Sequence, residues 1–336
     1  MGKELDKSIS MTDISRMAGV SVATVSRVIN QNGRYSAETE RRVRDIIEKY
    51  HYTPNMAAKG LKTRRTNFVG ILVPDITNDF FGWIVREIQN GLRIHGYMAL
   101  VCNTGEDEEI ERQYLSMLGA VNPSGMILIS GNNSELGKGL KHLPAIYIDR
   151  APMTGAGDVT VIESDNYGGA KLAVQELYEK GCRRIACIRS ARVISTHSSR
   201  YSGYRDQLEL YGLSAQNELD FRVDEISFVA ARQAMDQFLD IGKRFDGIFC
   251  TSDWLALGVV AAMKDHGLKV PEDVKVVGFD DISVASLSTT PLTTIRQKTD
   301  VLGRMAAEEI VKMMQGSPDR KHRILVDVSL IRRGTT

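Results

Sequence analysis

Ten residues in the longer part of this 336-residue chain carry the side chains that a polyhydroxyl ligand needs, and they follow short apolar runs. Asp75, Asn78, Phe80 and Phe81 come after the run 68–74, and Asp149 and Arg150 end or follow 145–149. Arg200 lies beyond 184–189, Asp253 and Trp254 beyond 247–251, and Gln297 beyond 292–295. Carboxylates, amides and guanidinium groups form paired hydrogen bonds with hydroxyls, and flat rings cover C–H faces. Taken singly, each residue has a plainer reading. Phe80 and Phe81 read equally well as core, Asp149 and Asp253 as helix caps, and Arg200 as a surface ion pair. Their shared placement favours a site. A second set lies near the start: Ser21, Val22, Ala23, Thr24, Ser26 and Arg27. Small apolar groups beside hydroxyls and an arginine suit a DNA major groove, where they meet thymine methyls, phosphates and guanine.

The elements that must position these residues follow from periodicity. Ser10 and Asp13 have capping-box spacing ahead of a helix with Ile14, Met17 and Ala18 on one face. Gly19 can close that helix in a left-handed conformation, and Ser21 can cap a second one that buries Val25, Val28 and Ile29. A third starts near Ser36 and buries Val43, Ile46, Ile47 and Tyr50. Two short helices joined by a glycine turn, then a third, make a helix-turn-helix; a three-helix protein-binding domain has the same periodicity. What separates them is the outward face of the second helix, whose Val22 and Ala23 have little reason to meet water. Pro54 or Asn55 can open a further helix of about two turns, too short to be stable alone.

From residue 67 on, strands alternate with amphipathic helices. Strands are expected at 68–74, 99–103, 125–129, 145–149 and 158–162. A second set is expected at 184–189, 222–226, 247–251, 275–279 and 292–295. Helices are expected at 83–95, 108–118, 170–180, 230–240 and 255–266, with an exposed crossover at 166–169. The fold class is therefore α/β: an all-α helix-turn-helix headpiece plus two doubly wound parallel subdomains. In such sheets ligands sit beyond the carboxyl ends of the strands, where the ten residues lie.

Composition agrees with an ordinary globular protein, 43% hydrophobic and 25% charged. The first 66 residues hold thirteen Lys and Arg against seven Asp and Glu, and the remainder thirty against thirty-five. A basic head on a mildly acidic body fits a polyanionic partner for the head. Neither a membrane-length apolar run nor a signal-peptide pattern is present, which points to the cytoplasm. The four cysteines are scattered and read as buried thiols without a metal or redox motif. No dinucleotide, Walker, zinc-protease or serine-elbow motif occurs, and Gly131 to Lys138 has the wrong glycine spacing for a phosphate loop. An enzyme is not expected, nor any cofactor or metal.

Three segments are similar to the lactose/galactose repressor family: Thr12-Asp13-Ile14, Ala18 through Asn30, and Tyr52-Thr53-Pro54-Asn55 with Ala58-Lys59-Gly60-Leu61. Ser15 stands where the family usually has Ala, and Gly60 where Ser is common. The resemblance implies a homodimer on a palindromic operator. It implies that Val22, Ala23 and Arg27 read bases and that Leu61 wedges into the minor groove. The DNA-facing set it implies is completed by Ser10, Met11, Ser21, Thr24, Ser26, Asn30, Ser36, Tyr52, Asn55, Ala58 and Lys62.

The body resembles the family core and periplasmic sugar receptors. Asn78-Asp79-Phe80-Phe81 is similar to the Asn-Pro-Phe-Phe segment of ribose-type receptors, with Asp79 replacing proline. Asp149-Arg150, Arg200, Asp253 and Gln297 match polar ligand contacts of that group, whereas Trp254 departs from it. The implied layout is a headpiece at 1–53, a hinge at 54–66 and a core at 67–336. Within the core, an N-subdomain spans about 67–165 plus 295–321, and a C-subdomain about 166–292 plus 322–336. The implied function is a repressor of a carbohydrate-use operon switched by a ribose-like sugar. A purine, nucleoside or sugar-phosphate effector is the alternative, and a sugar receptor without a DNA role is more remote.

Overall fold

The computed structural model describes residues 9–52, 66–129, 140, 142–150, 159–240, 244–317 and 322–336. The chain divides into two compact units, Met1–Thr66 and Asn67–Thr336. Among the described residues no helix is long and apolar enough to cross a membrane.

The first unit has helices α1 (Met11–Ala18), α2 (Val22–Ile29) and α3 (Ala37–Lys49). Ser10, Ser21 and Ser36 cap them, each hydroxyl accepting the backbone N–H three residues on. The Ser10 N–H in turn donates to Asp13 Oδ2 at 3.0 Å, which completes the capping box. Gly19, at φ 65°, takes the left-handed turn between α1 and α2. Eight-residue helices are marginal alone, so packing holds them: Ile14, Ala18, Val25, Val28 and Val43 form a closed core. Ser15 at the crossing is buried, and its hydroxyl donates to the Thr12 carbonyl at 2.8 Å. Two expectations change. Met17 and Tyr50 are exposed, and Tyr52 packs on the core in place of Tyr50.

The second unit contains two six-stranded sheets. The first has the order β11-β5-β4-β3-β1-β2, all parallel. Its strands are β1 (Phe68–Val73), β2 (Met98–Asn103), β3 (Gly125–Leu128), β4 (Ala145–Ile148), β5 (Thr160–Ser164) and β11 (Arg323–Val326). The second has the order β12-β10-β9-β8-β6-β7. These are β6 (Ile185–Ser190), β7 (Asp220–Val223), β8 (Gly247–Cys250), β9 (Lys275–Asp280), β10 (Thr293–Arg296) and β12 (Ser329–Ile331), with only β12 antiparallel. Central strands are buried on both faces, which is why they read as continuous apolar runs.

Helices cover the sheets: α4 (Asp79–Ile94), α5 (Glu108–Val121) and α11 (Thr299–Met314) with the first; α6 (Asn166–Glu179), α7 (Ser195–Leu210), α8 (Phe228–Asp240), α9 (Asp253–Asp265) and the short α10 (Ser283–Leu287) with the second. Helix α4 crosses α11 so closely that a Cβ on Gly303 would stand 2.7 Å from the Ile84 carbonyl oxygen. That fit fixes the end of α4 that carries Phe80 and Phe81.

The subdomain boundaries differ from the expected ones. Thr293–Arg296 pairs in the second sheet, and Arg323–Val326 returns to the edge of the first. The chain thus passes between the lobes three times, after β5, after β10 and after β11. The stretch 166–169 lies at the first of these crossings, as expected, but it is the packed first turn of α6, with only Tyr167 exposed. Asp165 caps it by accepting from Gly168 N at 2.8 Å, and Asn166 starts α6 fully packed. Strand β7 lies two residues before its expected start.

Candidate functional site

A cleft of about 530 Å³ opens between the lobes, within the size range of small-molecule sites. Every lining residue ends or follows a strand, and both sheets contribute. From the first come Asp75, Asn78, Phe80 and Phe81 after β1, Gly105 and Glu106 after β2, and Asp149 and Arg150 after β4. From the second come Arg192, Thr196, His197 and Arg200 after β6, Asp224, Glu225 and Ile226 after β7, Ser252 after β8, and Asp280 at the end of β9. This is the position that doubly wound sheets give to ligands.

Phe80 and Phe81 are both core and wall. They are buried, pack edge to face at 5.1 Å between centroids, and line the cleft. Arg200 is 4% exposed and organises the floor. Its Nε donates to Asn166 Oδ1 at 2.8 Å, its Nη1 to the Thr251 carbonyl at 2.6 Å, and Asp280 Oδ1 lies 3.4 Å from Nη1. Its guanidinium rests 3.7 Å from the Phe279 ring centroid. Asp280 also accepts from Gln297 Nε2 at 2.7 Å.

Two acidic residues bridge the lobes. Glu106 accepts from Arg150 at 2.7 Å on its own lobe and from Arg192 at 2.8 Å on the other. Asp79, at the position of the receptor proline, accepts from Ser283 N at 3.2 Å.

The protonation states follow from burial. Burial pushes the Asp280 carboxyl up to about 6, opposed by Arg200 and helped by Asp149. Asp149 is raised as well, again by burial, against the pull of Arg200 and Arg150. Burial and the same arginines push His197 down to about 3, so it is neutral at physiological pH. Asp149 and Asp280 sit at φ 64° and 116°. Side-chain-bearing residues held in such conformations cost about 1–3 kcal/mol each and concentrate at functional sites. Two buried polar atoms lining this cleft have no hydrogen-bond partner among the described residues, Asp149 Oδ1 and Arg150 Nε.

Seven of the ten expected ligand residues line the cleft: Asp75, Asn78, Phe80, Phe81, Asp149, Arg150 and Arg200. Asp253 does not. It is completely buried, accepting from Ile282 N at 2.9 Å and from the Thr294 hydroxyl at 2.6 Å. Burial first, then nearby Asp280, hold its carboxyl well above the usual range. It ties α9 to β10 and the start of α10. Asp253→Ala should therefore lower the melting temperature of the ligand-free protein, by about 2–5 kcal/mol of stability, because two buried groups lose their partner around a cavity. An unchanged melting curve would contradict the structural role. Trp254 packs against the core and is absent from the cleft wall. Gln297 lines a neighbouring hollow and reaches the cleft through Asp280. The sequence reading missed Glu106, Arg192, Thr196, His197 and Asp280. Asp280 was findable by the strand-end rule, since it closes the run 275–279.

On the first unit, Ser21, Val22, Ala23, Arg27 and Asn30 form an exposed face of α2 and its ends, and Thr24 and Ser26 are half-buried. Asn30 Nδ2 donates to the Ser26 carbonyl at 2.7 Å, which pins the helix end. Ser10 and Ser36 are exposed at the starts of α1 and α3, while Met11 and Tyr52 are half-buried. Asn55, Ala58, Leu61 and Lys62 lie outside the described residues.

Comparison with known proteins agrees with both units. Residues 10–55 match the bacterial regulatory proteins of the lacI family, and residues 174–336 match a periplasmic binding protein-like domain. The HTH-type transcriptional regulator RegA of Clostridium saccharobutylicum is 32% identical over 97% of this chain and 99% of its own. The ribose operon repressor of Escherichia coli strain K12 is 32% identical over the same shares. The structure of the Lac repressor dimer bound to operator and an anti-inducer superposes with a TM-score of 0.88 at 26% identity, over 98% of this chain and 99% of that one. Head, cleft and relatives concur: the chain belongs to the lacI family, a DNA-binding transcription regulator and not an enzyme.

Proposed function

We propose that this regulator represses a carbohydrate-use operon in the cytoplasm, as a homodimer on a palindromic operator, and that an uncharged monosaccharide of the ribose type binds the interlobe cleft and switches it. The observation that carries the effector reading is the pair of buried, unpartnered polar atoms on the cleft wall, Asp149 Oδ1 and Arg150 Nε. Leaving such atoms without partners costs about 1–3 kcal/mol each, and sugar hydroxyls, which both donate and accept, would satisfy them. The ring would lie against Phe80 and Phe81, with Asn78, Asp149, Arg150, Arg200 and Asp280 around its hydroxyls. Asp75, Glu106, Asp149, Asp224, Glu225 and Asp280 outnumber Arg150, Arg192 and Arg200 around the cleft, which disfavours a phosphorylated ligand. The name of the ribose operon repressor points the same way.

On the DNA side, Val22, Ala23 and Arg27 would read bases. Ser10, Met11, Ser21, Thr24, Ser26, Asn30, Ser36 and Tyr52 would meet the backbone around them; of the hinge residues Asn55, Ala58, Leu61 and Lys62, Leu61 would wedge into the minor groove and Lys62 would hold phosphate.

A thermal-shift screen of pentoses, hexoses, sugar phosphates and purines tests the effector. At ~100 times its dissociation constant the effector should stabilise the fold by roughly 2.7 kcal/mol. Stabilisation by purines or phosphorylated sugars alone would rule out the free-sugar reading.

A further inference from the structure

Glu106 sits where chain geometry and charge both serve one carboxylate. Gly105 and Glu106 are consecutive left-handed residues, at φ 62° and 59°. Glycine takes that conformation freely, but glutamate does so at a cost, and the turn delivers its side chain into the cleft. There each carboxylate oxygen meets a different guanidinium. Arg150, buried behind it, donates from Nη2 at 2.7 Å. Arg192, reaching in from the opposite lobe, donates from Nη1 at 2.8 Å and also to the Glu106 carbonyl at 3.2 Å. Two guanidinium groups converging from two sides form the arrangement that binds phosphate best, because planar forked donors match its oxygens. Arginine keeps its charge at any physiological pH, so without Glu106 this end of the cleft would present two positive charges.

We propose that Glu106 sets the ligand class: by occupying the anion position between Arg150 and Arg192 it confines the cleft to uncharged sugars and bars their phosphates. The inference rests on the reading that the cleft holds a monosaccharide. A phosphate brought to this place meets a carboxylate already holding both guanidiniums, and it would have to displace that carboxylate into a cleft wall that is itself acidic. A free sugar needs no such displacement, since its hydroxyls find Asp149, Arg200 and Asp280 elsewhere in the cleft.

The test compares the natural protein with Glu106→Gln, titrated calorimetrically with D-ribose, D-ribose 5-phosphate and inorganic phosphate. The natural protein should show no measurable phosphate binding. Glu106→Gln should bind ribose 5-phosphate and inorganic phosphate measurably, at least about tenfold more tightly than the detection limit set with the natural protein, the worth of one charge-assisted bond. Adding Arg192→Ala to Glu106→Gln should remove that gain, which a merely structural role for Glu106 would not explain. If Glu106→Gln does not fold, Glu106→Ser, which leaves room for water between the guanidiniums, takes the same titrations. The inference is overturned if a folded variant gains no affinity for either phosphate, if both variants fail to fold, or if the natural protein binds ribose 5-phosphate as tightly as ribose. A natural protein that binds no free sugar defeats the preceding functional reading alone, because the inorganic-phosphate comparison still decides the role of Glu106.

Discussion

Operator affinity should fall by roughly 10³–10⁵-fold between 50 and 200 mM salt, if ~6–10 phosphates are neutralised across a dimer. The first 66 residues carry six more basic than acidic side chains, whereas the body carries a small acidic excess. Arg16, Arg27, Arg34, Arg41, Arg42 and Arg44 are all exposed on the head. Each phosphate neutralised releases condensed counterions, so binding weakens along a straight line in log salt. Arg27→Ala separates this term from base reading. If Arg27 pairs with guanine, its loss costs about 1–3 kcal/mol on the specific site and relaxes one base position per half-site. Replacing a phosphate-holding lysine instead weakens all sequences evenly and flattens the slope by about one. Fluorescence anisotropy on operator and scrambled fragments over a salt series measures both. A flat salt series, or an Arg27→Ala loss equal on the two fragments, would contradict these roles.

The second large effect concerns Asp280. Its carboxyl titrates at about 6 in the fold against an ordinary value of 3.8, because burial outweighs Arg200 and Asp149 adds repulsion. A raised acid holds its proton more tightly in the folded state. Stability therefore falls as pH rises from about 3.8 through about 6 and stays reduced above that. At neutral pH the buried charge costs stability. Asp280→Asn removes the charge and keeps an oxygen for Gln297 Nε2. The ligand-free variant should consequently melt a few degrees higher than the natural protein at pH 7.5. Its sugar affinity should move the other way. Hydrogen bonds to a carboxylate are worth about 1.5–3 kcal/mol, so binding should weaken about ten- to a hundredfold.

The pH dependence carries the same signature. Sugar hydroxyls donate to the ionised form, so natural-protein affinity should drop as pH falls below about 6, and Asp280→Asn should show a flatter profile. His197, already neutral well above about 3, adds nothing in that window. A variant that melts lower and binds sugar normally would show that Asp280 holds the fold and not the ligand.

Much of this architecture was legible because apolar runs and helical stripes report burial directly. The strand-end rule located seven cleft residues without any knowledge of the lobes. It failed where local pattern and tertiary role diverge. Helix α7 was missed because its buried face is Thr196, His197, Arg200, Gly203, Tyr204, Gln207 and Leu208, helical in spacing but mostly polar. A stripe that faces a wet cleft does not look like a core stripe. Asp253 and Asp280 both stand at carboxyl ends of strands, and only the packing shows that Asp253 turns inward to Thr294 while Asp280 faces the cleft. Glu106 gave no signal, since two left-handed residues in a turn aim it. The last crossovers were misassigned because Arg323–Val326 is a four-residue edge strand with only alternate residues buried. Nothing in so short a run states which sheet it joins.

The most direct test is the operator dissociation constant measured with and without saturating D-ribose, in the natural protein and in Asp280→Asn, at fixed salt. A ligand shifts DNA affinity only by its differential affinity for the two states, typically about 1–3 kcal/mol or 5–150-fold. The natural protein should show a shift of that size. Asp280→Asn should bind operator normally in the absence of sugar and need about ten- to a hundredfold more ribose for the same shift. Specific operator binding that neither ribose nor any other small sugar changes would contradict a sugar-switched regulator, as would an Asp280→Asn response identical to that of the natural protein.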